Sequence, residues 1–79
     1  MDKQKVFDTV KGYILNQLSV SPDKVTQNAD LINDLGADSA NLMMLVMDLE
    51  AEYDMTVEDD EIVGIRTVGD IVDCIVKKA

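Results

Sequence analysis

Val6, Val10, Ile14 and Leu18 recur at every fourth residue with Phe7 and Tyr13 beside them, and this spacing predicts one amphipathic helix over residues 3–18. Its apolar stripe requires a partner surface. From Ser19 to Asp38 the pattern breaks at the only proline, Pro22, at Asn28-Ala29-Asp30 and at Gly36, which reads as a long ordered loop. A stretch of about 20 residues exceeds the usual connection and is itself a functional hint; Leu31, Ile32 and Leu35 are expected to pin it to the core. Asp38 or Ser39 can cap a second helix that runs to about Asp54, since a side-chain oxygen there accepts from an otherwise unpaired N–H. Glu58 to Gly64 predicts a short third helix, with acids suited to its start and a glycine suited to its end. Thr67 and Asp70 resemble a capping box opening a last helix whose stripe is Val68, Ile71, Val72, Ile75 and Val76. Neither strand alternation nor an internal repeat competes, so the fold class is all-α: four helices, a long first loop and a short third helix.

The second predicted helix carries two apolar faces. At about 100° per residue, Leu42, Leu45, Val46, Leu49 and Tyr53 share one side, as expected for packing on the other helices. Ala40, Met43, Met44, Met47 and Ala51 fall almost opposite. Such a helix is either sandwiched in a core or presents one face to a partner. A small domain cannot easily cover both, although the third helix could shield part of the methionine stripe. Unbranched, polarizable Met suits varied partner surfaces.

Length and charge narrow the functions. The 79 residues predict a single domain over 1–79, and a domain of this size buries only about 60% of the surface its unfolded chain exposes. Marginal, salt-sensitive stability and no deep substrate cavity are expected. Sixteen Asp and Glu against seven Lys and Arg give a net charge of −9, and Val25 to Ile65 holds eleven of the acids and none of the bases. That field repels nucleic acid and anionic membrane surfaces and favours basic protein surfaces, unless it serves only as a solvated face. No apolar stretch approaches the ~20 residues of a membrane span, and the N-terminus lacks a signal core. The single Cys74 cannot form an intramolecular disulfide, which fits a reducing cytoplasm and reads as a spectator thiol. With no histidine in the chain, Ser-His-Asp and Cys-His machinery and the usual zinc sites are excluded. Any chemistry on a serine here must be supplied from outside.

Asp34-Leu35-Gly36-Ala37-Asp38-Ser39 resembles the attachment-site motif of acyl carrier proteins, lying where that motif should lie, between a long loop and a helix. Leu45 to Tyr53 and Thr67 to Asp73 resemble later segments of the same family at matching spacing, so the likeness spans essentially the whole chain. The resemblance implies a four-helix bundle in which Ser39 accepts 4'-phosphopantetheine from coenzyme A through a separate phosphopantetheinyl transferase. Asp38 matches the acid that helps the transferase and its magnesium engage. Acyl groups would then ride as thioesters on the arm, able to shelter between the helices, and pass among the enzymes of fatty acid synthesis; the carrier itself would be no enzyme. Asp34, Asp38, Asp48, Glu50 and Glu52 would meet basic residues on those partners, mainly for steering and register. The resemblance implies a cytoplasmic monomer.

The likeness departs from the family pattern on the expected partner face. Ala40 stands in place of Leu, Asn41 and Ala51 in place of acids, and Met44 in place of Glu; the proline usual near Glu58 is absent. With Met47, these residues make the face less acidic and more apolar. A carrier dedicated to polyketide, aminoacyl or specialised lipid synthesis, with less basic partners, therefore stands beside the fatty acid reading. A carrier-like structural interaction subunit is the third reading, and an unrelated acidic cation-binding module the fourth. For that last one, Asp30 to Gly36 lacks the ligand pattern of a calcium loop, and Glu58-Asp59-Asp60-Glu61 would attract divalent ions only loosely.

Overall fold

The computed structural model describes residues 2–78. It places in them four helices, α1 (Lys3–Gln17), α2 (Ser39–Tyr53), α3 (Asp59–Val63) and α4 (Val68–Lys78), with a 3-10 turn at Pro22–Lys24. Among the described residues there is no strand, only an isolated antiparallel bridge between Asp30 and Thr67. The all-α bundle with a long first connection and a short third helix follows the apolar spacing.

α1 begins where the Asp2 carboxylate accepts the Gln4 and Lys5 amides. It ends one residue before the predicted limit, with Leu18 in extended backbone closing the helix by donating its N–H to the Ile14 carbonyl. Val6, Val10 and Ile14 are buried, as are Val68, Ile71, Val72 and Ile75 of α4. α1 packs mainly on α4 and less extensively on α2. On α2, Leu45, Val46 and Leu49 are buried, while Leu42 and Tyr53 lie half-buried at the edges of the same face.

The long loop is held by its backbone as well as by side chains. Leu31 donates to the Arg66 carbonyl, Val68 to that of Ala29 and Gly69 to that of Gln27, so the loop is tied to the entry of α4. A Cβ on Gly69 would lie 2.9 Å from the Gln27 oxygen, which is why a glycine stands there. Leu31 and Leu35 are buried as expected, but Ile32 is 55% exposed and does not pin the loop. The cause is the tight turn itself. The Asp30 carboxylate accepts the amides of Ile32 and Asn33, and the Asp34 carboxylate returns to the Asp30 amide. Winding the chain this way puts Leu31 and Leu35, four residues apart, on the inner side and turns Ile32 outward.

Short helices depend on their ends. α4 has the anticipated capping box: Thr67 Oγ1 accepts the Asp70 amide, and Asp70 Oδ2 accepts those of Thr67 and Arg66. At α3 the Glu61 carboxylate accepts the Glu58 amide at 3.1 Å, while the Glu61 amide bonds the Glu58 carbonyl. Gly64 does end α3, but in the right-handed region (φ −82°), so the stop does not use the freedom peculiar to glycine. The left-handed cap falls instead to Asp54 after α2 (φ 50°), a residue type that tolerates it.

Candidate functional site: an exposed serine at the start of α2

Three residues deliver Ser39 to the surface. Gly36 adopts φ +75°, a left-handed turn that side chains rarely adopt. Ala37 is buried and anchors the approach. Asp38 is the N-cap, settling which of the two candidates caps the helix: its Oδ1 accepts the Asn41 amide at 2.8 Å, while Asn41 Oδ1 accepts the Asp38 amide at 3.2 Å. Ser39 is thus the first helical residue, and it is exposed.

The Leu42 amide bonds the Asp38 carbonyl, but the amides of Ser39 and Ala40 make none of the described hydrogen bonds. An anion esterified to Ser39 would meet those two donors and the positive end of the α2 dipole. The residues present therefore fit a phosphate attached at this hydroxyl. The cap role of Asn41, where the family usually has an acid, was not anticipated; the Asp-x-x-Asn spacing was the available signal, in a less familiar form than the Ser/Thr-x-x-Glu/Gln box.

The other acids expected to meet partners are occupied within the fold. Asp34 holds the turn, Asp48 accepts the Gln17 side-chain amide at 3.2 Å, Glu50 accepts the Val57 amide at 2.9 Å, and Glu52 accepts the Tyr13 hydroxyl at 2.6 Å. Meanwhile Met43, Met44 and Met47 are 44%, 55% and 61% exposed, so α3 does not cover the second apolar face of α2. Ala40 and Ala51 are exposed as well. The surface beside Ser39 is a methionine and alanine strip flanked by internally bonded carboxylates.

Beneath that strip, Asn41, Leu42 and Leu45 face Ile14, Gln17 and Leu31 across a narrow apolar cleft of about 10 Å³, roughly the room of one water. Gln17 Oε1 is the one buried side-chain polar atom without a partner among the described residues. A second apolar cleft of about 10 Å³ lies between α2 and α4, lined by Val46, Leu49, Ile71 and Ile75. Neither holds an acyl chain without widening.

Electrostatics in the molecule are structural. The Asn33 and Ile32 amides hold the Asp30 carboxyl below its usual range, the Lys78 ammonium and the Glu58 amide do so for Glu61, and the Thr67 and Arg66 amides for Asp70. Burial, with Glu61 beside it, pushes the half-buried Cys74 thiol up, away from the thiolate. No group of acids or Cys suited to a metal ion occurs among the described residues.

A carboxyl whose pKa is lower folded than unfolded contributes stability above the unfolded value, and the contribution fades as pH falls through the folded one. From about pH 5 downward the melting temperature is therefore expected to fall. Asp70→Asn, which keeps an acceptor for the Thr67 amide but cannot titrate, should show a shallower fall by circular dichroism. Parallel acid limbs would remove Asp70 from the account.

The fold and the site together are an acidic all-α bundle that exposes a serine at the start of α2, in surroundings that fit a phosphate ester. The family model "Phosphopantetheine attachment site" matches residues 8–75. The chain is 47% identical over 76 residues to an acyl carrier protein of Thermotoga maritima, covering 96% of this chain and 94% of that one. It is 45% identical over 67 residues to an acyl carrier protein of a Sulfurovum species, covering 85% and 89%. A solved structure of the acyl carrier protein from Enterococcus faecalis superposes with a TM-score of 0.84 at 34% identity, covering 100% of both chains. The chain belongs to the acyl carrier protein family: it is a carrier and not an enzyme, and its cofactor is covalently attached 4'-phosphopantetheine. No helix among the described residues is long and apolar enough to cross a membrane.

Proposed function

We propose that Ser39 is the attachment point of the arm and that the whole chain, residues 1–79, works as one monomeric carrier domain in the cytoplasm, shuttling acyl thioesters in fatty acid synthesis. The observation that carries this reading is the exposed Ser39 hydroxyl at the first position of α2, beside the unbonded amides of Ser39 and Ala40. Asp38 caps the helix through Oδ1, while Oδ2 makes none of the described hydrogen bonds and is left for the transferase. The arm supplies the thiol on which the acyl group is activated; the chain's own residues hold the phosphate end and present a surface to partner enzymes. Incubation with coenzyme A, magnesium and a broad-specificity phosphopantetheinyl transferase should add one phosphopantetheine, mapped by peptide mass spectrometry to the fragment containing Ser39. An unmodified protein would remove the reading.

The exposed methionines favour a second reading, a carrier dedicated to another acyl pathway. Asp34, Asp48, Glu50 and Glu52 then steer partners by charge, while Ala40, Asn41, Met44, Met47 and Ala51 form the contact itself. On that reading Met44→Glu, which restores the acid usual in the family, should raise kcat/KM with a ketosynthase of ordinary fatty acid synthesis by about two- to fivefold, the range of one exposed ion pair. Unchanged or lower turnover leaves the fatty acid reading alone.

A further inference from the structure

Leu42 lies three residues after Ser39, close to one turn along the same side of α2. There it helps to wall an open cleft of about 130 Å³ between the loop at 30–33 and the link from α3 to α4. Its wall of Leu42, Ile32 and Ile65 is apolar, and its polar rim is Asp30, Asn33 and Arg66. Two of the rim groups are occupied. The Asp30 carboxylate accepts the amides of Ile32 and Asn33 at 2.9 Å and the Asn33 side-chain amide at 3.3 Å.

Arg66 differs. Its backbone is clamped, the N–H donating to Asp70 and the carbonyl accepting from Leu31. Its guanidinium makes none of the described hydrogen bonds or ion pairs, whereas Lys3 pairs with Asp73 and Lys78 with Glu61. It is also the only base between Lys24 and Lys77. The Arg66 side chain is exposed near the Asp30 and Asp70 carboxylates, which it influences by charge without a described hydrogen bond, so its planar fork is free to take a further carboxylate in two parallel hydrogen bonds.

We propose that Arg66 makes this cleft selective for acyl groups that carry a carboxylate, the apolar wall taking the methylenes and the guanidinium the charged end. The proposal rests on Ser39 as the attachment point. An Ile32 side chain left outside the core is then part of the seat, and the cation that directly follows the acidic stretch has a ligand.

The test loads the full-length protein from glutaryl-coenzyme A and from pentanoyl-coenzyme A, which match in carbon count and differ in the terminal carboxylate. Thioester cleavage by hydroxylamine should be about two- to fivefold slower for glutaryl than for pentanoyl at low salt, after division by the rates of the free coenzyme A thioesters. Arg66→Gln and high salt should both abolish the difference. By NMR, the Arg66 side-chain N–H should shift with the glutaryl cargo only, together with the Ile32 and Leu42 methyls. Equal corrected rates in wild type and Arg66→Gln, or an Arg66 shift identical for both cargoes, would overturn the charge selection while leaving attachment intact. Failure of either thioester to load on the wild type would instead overturn the Ser39 reading on which the proposal stands.

Discussion

Ser39→Ala is expected to fold as the wild type does and to take up no phosphopantetheine. The Ser39 side chain accepts and donates none of the described hydrogen bonds, and it is exposed at the first position of α2. Alanine is the strongest helix former, so the stability change should stay within about 0.5 kcal/mol. On the proposed attachment at Ser39 the functional loss should be complete, because its hydroxyl oxygen would be the atom joined to the arm. Only two other serines exist, Ser19 and Ser21. Ser21 is bonded to Asp23 in the first loop, and neither serine opens one of the four α-helices.

Asp38 separates positioning from folding. Asp38→Ala removes the cap, costing about 1 kcal/mol, and the charge together. Asp38→Asn keeps an acceptor for the Asn41 amide and loses only the charge. If Asp38 engages the transferase, Asp38→Asn should lower its kcat/KM about ten- to a hundredfold, the scale of one charge-assisted hydrogen bond, with the melting temperature nearly unchanged. A phosphopantetheine adduct on Ser39→Ala would sink the assignment of the site, and full-rate modification of Asp38→Asn would remove Asp38 from recognition.

How much of this was legible beforehand depends on whether local chemistry or packing decides each residue. The stripes of α1 and α4 were readable because one period of apolar residues has one way to face inward. The Thr67–Asp70 box was readable because both partners lie within four residues of each other. Exposure of the methionine strip could only be posed as alternatives, since it depends on where a five-residue α3 settles after α2.

The internal bonds of the carboxylates are hidden from the sequence for a different reason. Counting them gave their charge correctly but could not show that Glu52 bonds a tyrosine on α1, or that Glu50 closes the loop after α2. Those partners lie 39 and 7 residues away in sequence. Asn41 is the converse case: as a departure from a family pattern it looked like a change in partner surface, and its side chain turns out to complete the cap that presents Ser39.

Leu31 and Ile32 put the limit most sharply, and they carry the second large effect. As neighbouring aliphatic residues in a turn they are interchangeable to any periodicity argument, yet Leu31 is 1% exposed and Ile32 55%. Leu31→Ala should cost about 2–5 kcal/mol, the range for emptying a packed leucine site. A domain at about 0.05–0.15 kcal/mol per residue has only a few times that to lose. Ile32→Ala should stay within about 0.5 kcal/mol. The consequence reaches the site because Leu31 also anchors the loop through its N–H to Arg66 and sits six residues before Ala37, whose amide bonds the Leu31 carbonyl. Loosening Leu31 therefore loosens the approach to Asp38 and Ser39. Urea unfolding of the two variants beside wild type, with transferase rates taken where each is still folded, gives both readouts. Leu31→Ala should show a lower midpoint and slower modification, and Ile32→Ala neither. Equal midpoints would mean that the loop is held by its backbone bonds alone, with Leu31 filling space that the fold can close without it.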